Sequence, residues 1–277
     1  MLRLWRERLI ISLAPDAISW LRLSAGRQPG VSAKRTLPVV QADGGPPWQG
    51  AIAALRSEME AWRKDALAVT VVLSNHFARY VLVPPGAGVS GSEEEQALAR
   101  FYFAKVHGER CRDWDVRLSQ AGKDAPRIAS AIDSALLQEL RNCFPRAGRA
   151  RLVSLQPLLM SAFNFWRNQM PADGAWFLQI EAERACLALL VGGKWITVQN
   201  AKGHYAQPQA WVSLLERERW RTGLEQVPDT VFIHAPDFPG AAIAGQDSWK
   251  LKKLQLAWPR GLLPMGHAAY ANALTAI

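Results

Sequence analysis

One arrangement recurs in this chain, and it narrows the possible folds more than any other feature. Near the N-terminus, residues 9–13 (Leu-Ile-Ile-Ser-Leu) form an apolar run, 14–17 (Ala-Pro-Asp-Ala) a turn, and 18–23 (Ile-Ser-Trp-Leu-Arg-Leu) an alternating run. That order predicts a β-hairpin. Further along, residues 175–190 predict strand structure paired with 195–199 around a turn at Gly192 and Gly193. Each hairpin leads into a helix and then a short apolar strand. After the first, Ile52, Leu55, Met59 and Trp62 recur every three or four residues over 48–64, the spacing of an amphipathic helix, and 69–73 reads as a buried strand. After the second, Trp211, Leu214 and Leu215 share one side of a helix over 209–221, and 231–234 follows as a strand. A chain that twice opens with antiparallel strands and continues into helix and strand predicts two similar α/β halves.

The stretch between these halves carries its own pattern. Residues 32–40 read as a third strand, Pro38, Gly44, Gly45, Pro46 and Pro47 mark the loop that leads from it to the helix over 48–64, and 79–83 reads as another strand. Pro84 and Pro85 close the strand at 79–83, and 86–91 is a link rich in glycine. Ser92 is placed to cap a helix running to about Val106, with Glu93, Glu94 and Glu95 in its first turn and a Ser92–Glu95 capping box. Strands at 115–118 and 127–131 follow, then a helix over 134–144 capped by Asp133. A strand at 152–155 and a helix opened by Pro157 and running to Trp166 return the chain to the first half. The expected organisation is residues 1–83 with 146–172 as the first half, 84–145 as an inserted α+β subdomain, 173–262 as the second half, and 263–277 as a closing helix.

Composition and motifs exclude most chemistry. No run of about eighteen apolar residues is present to cross a bilayer as a helix. The first twenty residues carry Arg3, Arg6, Glu7 and Arg8, and no small-residue cleavage site follows, so no signal peptide is expected. Cys111, Cys143 and Cys186 are too far apart for a zinc motif or a disulfide framework. His76, His107, His204, His234 and His267 show no metal-ligand spacing, and neither a nucleophile elbow nor a phosphate-binding P-loop is present. Neither a catalytic residue nor a metal or cofactor site is expected. Net charge is +9, with Arg141, Arg146, Arg149 and Arg151 in an acid-free stretch from 140 to 172. Such a surface suits an anionic membrane or an acidic partner, or serves solubility alone. Nucleic-acid binding has only this charge in its favour, since no nucleic-acid motif accompanies it.

The segments together resemble the PilM family of type IV pilus assembly and the cytoplasmic part of the type II secretion protein GspL. The first hairpin, the acidic start Glu93-Glu-Glu-Gln-Ala-Leu-Ala-Arg100, the strand 113–118, the strand and helix over 127–140, the return over 151–162 and the closing Gly266-His-Ala-Ala-Tyr-Ala-Asn-Ala-Leu274 carry that resemblance in order. It implies an α/β, actin-like ATPase (ASKHA) duplicated fold with a PilM-type α+β insert in the first half. The second half reads as shortened, because 199–231 holds one helix and loops. In this family each half opens with a phosphate-binding Asp-x-Gly turn. Here Ser12 and Ala14 stand at those places in the first half, and Gln179 and Glu181 in the second. The adenosine-embracing Gly-Gly turn expected after 231–234 is replaced by Ala235-Pro-Asp-Phe-Pro-Gly240.

Phosphate binding needs glycine for close backbone approach and a carboxylate to hold magnesium through water. Ala14 adds a β-carbon, and Glu181 adds bulk and like charge. The resemblance therefore implies a cytoplasmic, membrane-peripheral scaffold that binds the cytoplasmic peptide of a PilN-like inner-membrane protein. The helix carrying Leu98, Arg100, Phe101 and Tyr102 would line part of that groove. Three successive aromatics, Phe101 to Phe103, cannot share one side of a helix, so partner contact and internal burial both stay open for them. The alternative is a nucleotide-binding switch or weak ATPase with an atypical pocket. Oligomeric state is left open.

Overall fold

The computed structural model describes residues 6–27, 29–41, 44–85, 91–120, 122, 125–205, 207–238, 248–262 and 268–277. Its contacts divide the chain into two compact units, Met1–Phe77 with Ser134–Phe165 and Leu256–Ile277, and Ala78–Asp133 with Trp166–Gln255.

The first unit is built on a five-stranded sheet. Strands β1 (Arg8–Leu13), β2 (Ala17–Leu23) and β3 (Val31–Pro38) form an antiparallel meander, and β4 (Ala68–Leu73) and β8 (Arg151–Pro157) extend it in parallel, giving the order β3-β2-β1-β4-β8. Leu9, Ile11, Leu13, Val69 and Val71 are fully buried, as strands covered on both faces require. Helix α1 (Gln49–Trp62) turns Ile52, Leu55 and Trp62 inward, and Trp62 meets Trp20 of β2 edge-on at 5.3 Å. The indole N–H of Trp20 donates to the buried carboxylate of Glu58 at 3.0 Å, and Arg35 pairs with the same carboxylate at 2.8 Å. The amphipathic helix α3 (Ser134–Cys143) packs near α1 through Leu136, Leu137 and Leu140. On the sheet face carrying Ile10, Leu21 and Leu23 lie Leu262, Tyr270, Ala273 and Leu274. The last two belong to α6 (Ala271–Leu274), which follows a single 3-10 turn over Ala268–Tyr270. The expected start of this closing helix, at Leu263 or Met265, lies outside the described residues.

The second unit contains two sheets. Strands β9 (Gly174–Glu181), β10 (Arg184–Val191) and β11 (Lys194–Lys202) form a meander, and β12 (Thr230–His234) and β13 (Lys250–Lys253) extend it in parallel, giving β11-β10-β9-β12-β13. The strand order of the first unit is thus repeated. Here the sequence reading needs a correction. Residues 175–190 are not one arm of a hairpin but two strands joined at Ala182-Glu183, where Glu183 holds a positive φ of 54°. An Ala-Glu turn carries none of the residues that mark turns in sequence.

Helix α5 (Pro208–Thr222) buries Trp211, Leu214 and Leu215 against this sheet and ends at Gly223 in the left-handed conformation. The other sheet is β5 (Ala78–Val83), β6 (Trp114–Leu118) and β7 (Arg127–Asp133), antiparallel in the order β5-β7-β6. Helix α2 (Ser92–His107) lays Ala99 and Phe103 on it beside Val81, Val83 and Val116. Strand β5 also adjoins β11, which groups this α/β element with the second sheet. Helix α4 (Leu158–Trp166) starts immediately after Pro157, which ends β8 rather than opening the helix.

Candidate functional site

In the first unit, the hairpin turn is closed by the Ala14 N–H donating to the Ala17 carbonyl at 3.1 Å. Ser12 lies buried in register with Ser19 of β2, whose hydroxyl shares a 3.0 Å hydrogen bond with Thr36 of β3. Ala14 is half-buried and keeps an ordinary negative φ, since Glu183 is the one non-glycine residue with positive φ among those described. The Ser74 N–H donates to the Leu13 carbonyl at 2.9 Å, which brings the segment after β4 beside the turn. Ser74 and His76 there share a hydrogen bond of 2.9 Å through Oγ and Nδ1, and Asn75 is buried. This end of the sheet is hydroxyl- and amide-rich and presents no carboxylate from Ser12 or Ala14.

In the second unit, Gln179 and Glu181 sit on β9 just before the Ala182-Glu183 turn, both buried. Gln179 is flanked by Cys186 of β10 and His234 of β12, and Glu181 by Arg184. Burial lowers the pKa of the Arg184 guanidinium, while the neighbouring Glu181 carboxylate pulls it back up. Arg184 Nη1 donates to Asn200 Oδ1 at 3.2 Å, and Asn200 Nδ2 donates to the Ala78 carbonyl at 3.0 Å. Its Nε is buried and hydrogen-bonds nothing in the structure. Arg79, also depressed by burial and by Arg184, donates from Nη1 to the same Ala78 carbonyl at 2.8 Å. Burial likewise pushes the Cys186 thiol well up, so it stays protonated. Sequence reasoning missed Arg184, Arg79 and Asn200. The one available signal was a lone arginine opening the otherwise apolar run Arg184-Ala-Cys-Leu-Ala-Leu-Leu190. Chemically, this turn presents a buried carboxylate beside the Arg184 guanidinium.

Helix α2 distributes its residues unevenly. Phe103 is fully buried, Leu98 and Tyr102 are half-buried in the same cluster, and Phe101 is 60% exposed with Tyr102 edge-on at 5.6 Å. Burial therefore takes Phe103 and leaves Phe101 outside. A groove of about 550 Å³ runs between α2 and the edge strand β6, lined by Glu93, Gln96, Ala97, Arg100, Asp115 and Arg117, and Arg100 also borders a second hollow of about 280 Å³. Of the four residues expected to meet a partner, Arg100 alone lines this groove. The capping box expected at Ser92 is absent: the helix begins at Ser92 itself, Gly91 occupies the cap position, and Glu95 pairs with Arg127 of β7 at 3.0 Å. The four arginines of the basic stretch, Arg141, Arg146, Arg149 and Arg151, are all exposed, between the last turn of α3 and the start of β8. Among the described residues no three His, Cys, Asp or Glu side chains are grouped to hold a metal.

No family model and no curated protein sequence matches the chain. Solved structures do. One is a chain of the PilM–PilN type IV pilus biogenesis complex, at 16% identity, a TM-score of 0.65 and coverage of 98% of each chain. The cytoplasmic domain of EpsL, an inner-membrane component of the type II secretion system of Vibrio cholerae, gives 16% identity and a TM-score of 0.58 over 97% of this chain and 95% of that one. A Bacteroides thetaiotaomicron protein with an actin-like ATPase fold and unknown function gives 10% identity and a TM-score of 0.58 over 91% of each. The chain has the actin-like fold. At such identities the likeness is one of fold, and the repeated strand order is its signature in this chain. No helix among the described residues is long and apolar enough to cross a membrane.

Proposed function

We propose that this protein is a non-catalytic scaffold of a type IV pilus or related secretion machine, working at the cytoplasmic face of an inner membrane. Its task on this reading is to bind the cytoplasmic segment of a PilN-like membrane partner. The observation that carries the reading is the likeness along essentially the whole chain to a chain of the PilM–PilN type IV pilus biogenesis complex. The chemistry of the two turns supports the non-catalytic part. Ala14 puts a β-carbon where a phosphate turn needs glycine, and Glu181 puts a buried carboxylate, beside Arg184 on β10, where anionic groups would have to approach. At the two places where the family pattern has the magnesium-holding Asp stand Ser12 and Gln179, neither of which is a carboxylate.

The partner segment is proposed to lie in the groove between α2 and β6, with Arg100 contributing charge. The test is isothermal titration with Mg-ATP, followed by the N-terminal peptide of a PilN-like protein. The expected outcome is no heat from the nucleotide and micromolar peptide binding, weakened about tenfold or more by Arg100→Glu. Clear binding of ATP would overturn the scaffold reading and favour a nucleotide switch with an atypical pocket. Peptide binding that ignores Arg100→Glu would remove the groove assignment while leaving the scaffold role.

A further inference from the structure

The three parallel strands of the first sheet, β1, β4 and β8, start at one end of it, with Arg8, Ala68 and Arg151 in register. Strand β2 ends there too, since Leu23 is the register partner of Arg8. The segments that lead into these strands therefore meet at this end, opposite the turn that holds Ala14. Each segment brings cations. Arg27 is exposed in the turn between β2 and β3, and Arg63 and Lys64 are exposed between α1 and β4. From the last turn of α3 to the start of β8, Arg141, Arg146, Arg149 and Arg151 are exposed as well.

The neighbouring acids are paired: Glu7 and Asp65 both with Arg22, and Glu60 with Arg63 at 3.6 Å. Arg6 and Arg8 lie beside Ala276 and the chain's last residue, and Arg8 has a partner of its own, so the surface rests on the other cations. The backbone that carries the four arginines is firmly held. Phe144 and Ala150 are buried, the Gly148 N–H donates to the Pro145 carbonyl at 2.8 Å, and the Arg151 N–H donates to the Leu67 carbonyl at 2.9 Å. Arg151 Nε donates to the Gly148 carbonyl at 3.1 Å, and among the described residues no acid pairs with any of the four. The dipole of α3 favours Arg141 in its last turn, but it fades beyond the helix end and does not account for Arg146, Arg149 and Arg151.

We propose that this end of the first sheet docks on a bilayer surface containing anionic lipid, with Arg146 and Arg149 at the centre of the contact. Exposed guanidinium groups on a fixed backbone, with no carboxylate to hold their tips, suit a fluid layer of phosphate headgroups better than one fixed set of carboxylates. The choice of lipid among polyanions rests on the proposed place at an inner membrane.

The test is flotation of the full chain with vesicles of phosphatidylcholine, alone or with about one-third phosphatidylglycerol, at low salt and at about 0.5 M salt. The expected result is binding to the anionic vesicles only, lost at high salt. Arg146→Gln combined with Arg149→Gln should weaken it about tenfold or more, since each basic side chain at such a surface contributes a several-fold factor. Both side chains are exposed and hydrogen-bond nothing among the described residues, so the double variant keeps its fold, which an unchanged urea midpoint checks. Lys194→Gln combined with Lys202→Gln makes the same change of charge on β11 and leaves vesicle binding within about twofold. An equal loss in that control, equal binding to the two kinds of vesicle, or binding to neither overturns the proposal. So does tighter binding, at the same salt, to duplex DNA or polyglutamate, which would assign the surface to another polyanion. Vesicle binding involves no partner protein, so its failure leaves the scaffold role standing, and failure of the peptide titration leaves this surface standing.

Discussion

His107, at the end of α2, stacks on Phe103 with ring centroids 6.0 Å apart and meets Trp114 at 5.0 Å. Burial lowers its pKa below the ordinary 6.5, and the positive charges of Arg79 and Arg110 lower it further. The unfolded chain therefore takes up this proton more readily than the folded one. Stability from the neutral imidazole is fully present above the unfolded value near 6.5, and is lost as the pH falls through the folded value. The urea midpoint is expected to drop between pH 7.5 and pH 5.5, and the drop should shrink in His107→Gln. An unchanged drop in that variant would mean that other groups set the acid sensitivity. None of this was legible in the sequence, because it depends on the burial of the ring and on Arg79, which tertiary structure brings to it. The placing of Ser12 and Ala14 at the end of β1, and of Gln179 and Glu181 at the end of β9, needed only a count along each segment. The placing of Arg184 beside Glu181 was not legible, because that pairing exists only once β9 and β10 are joined at Ala182-Glu183. Ser92 gives the opposite lesson. A local capping signal lost to a tertiary one, with Glu95 drawn to Arg127 across the insert.

Among the elements, α5 shows how a helix is held by one side chain. Trp211 is fully buried against Leu178, Leu187 and Ile233 in the core of the second sheet, yet its indole N–H is buried and hydrogen-bonds nothing in the structure. Removing the ring should cost about 3–5 kcal/mol, because a large cavity is left. Trp211→Phe should cost much less than Trp211→Ala, since it keeps most of the apolar area and relieves the orphaned donor. Urea denaturation of the two variants checks the ordering, and equal losses would show that ring volume is not what holds α5. The sequence foresaw this helix and its buried side from the spacing of Trp211, Leu214 and Leu215. It gave no sign of β13, whose Lys-Leu-Lys-Lys composition is poor in strand formers. Lysines are common on edge strands because they discourage further pairing, and β13 is the edge of its sheet. Lys252 rests over the ring of Phe232 on β12 at 5.3 Å, a contact that helps to fix the strand.

For the whole molecule, the duplicated order was legible because the same local grammar of hairpin, helix and apolar strand is written twice. How the chain closes each unit was less so, and that is where a testable consequence lies. The first unit is discontinuous: its last segment, Leu256–Ile277, follows the whole of the second unit in sequence. Leu262, Tyr270, Ala273 and Leu274 reach back to cover Ile10, Leu21 and Leu23 on the first sheet, and the Ser161 hydroxyl shares a buried 2.8 Å hydrogen bond with Thr275. A chain ending at Gln255 keeps every segment of the second unit and strips this cover from the first. Losing the burial of two leucines and a tyrosine, each worth about 1.5–3 kcal/mol, removes on the order of 4.5–9 kcal/mol, comparable with the stability of an entire domain. Hydrogen exchange followed by mass spectrometry should then show β1 and β2 exchanging rapidly, while β9 and β10 keep their protection. Protection lost equally from all four strands would mean that the second unit does not stand without the first. Protection kept by β1 and β2 would mean that the sheet holds without its C-terminal cover, contrary to the packing described.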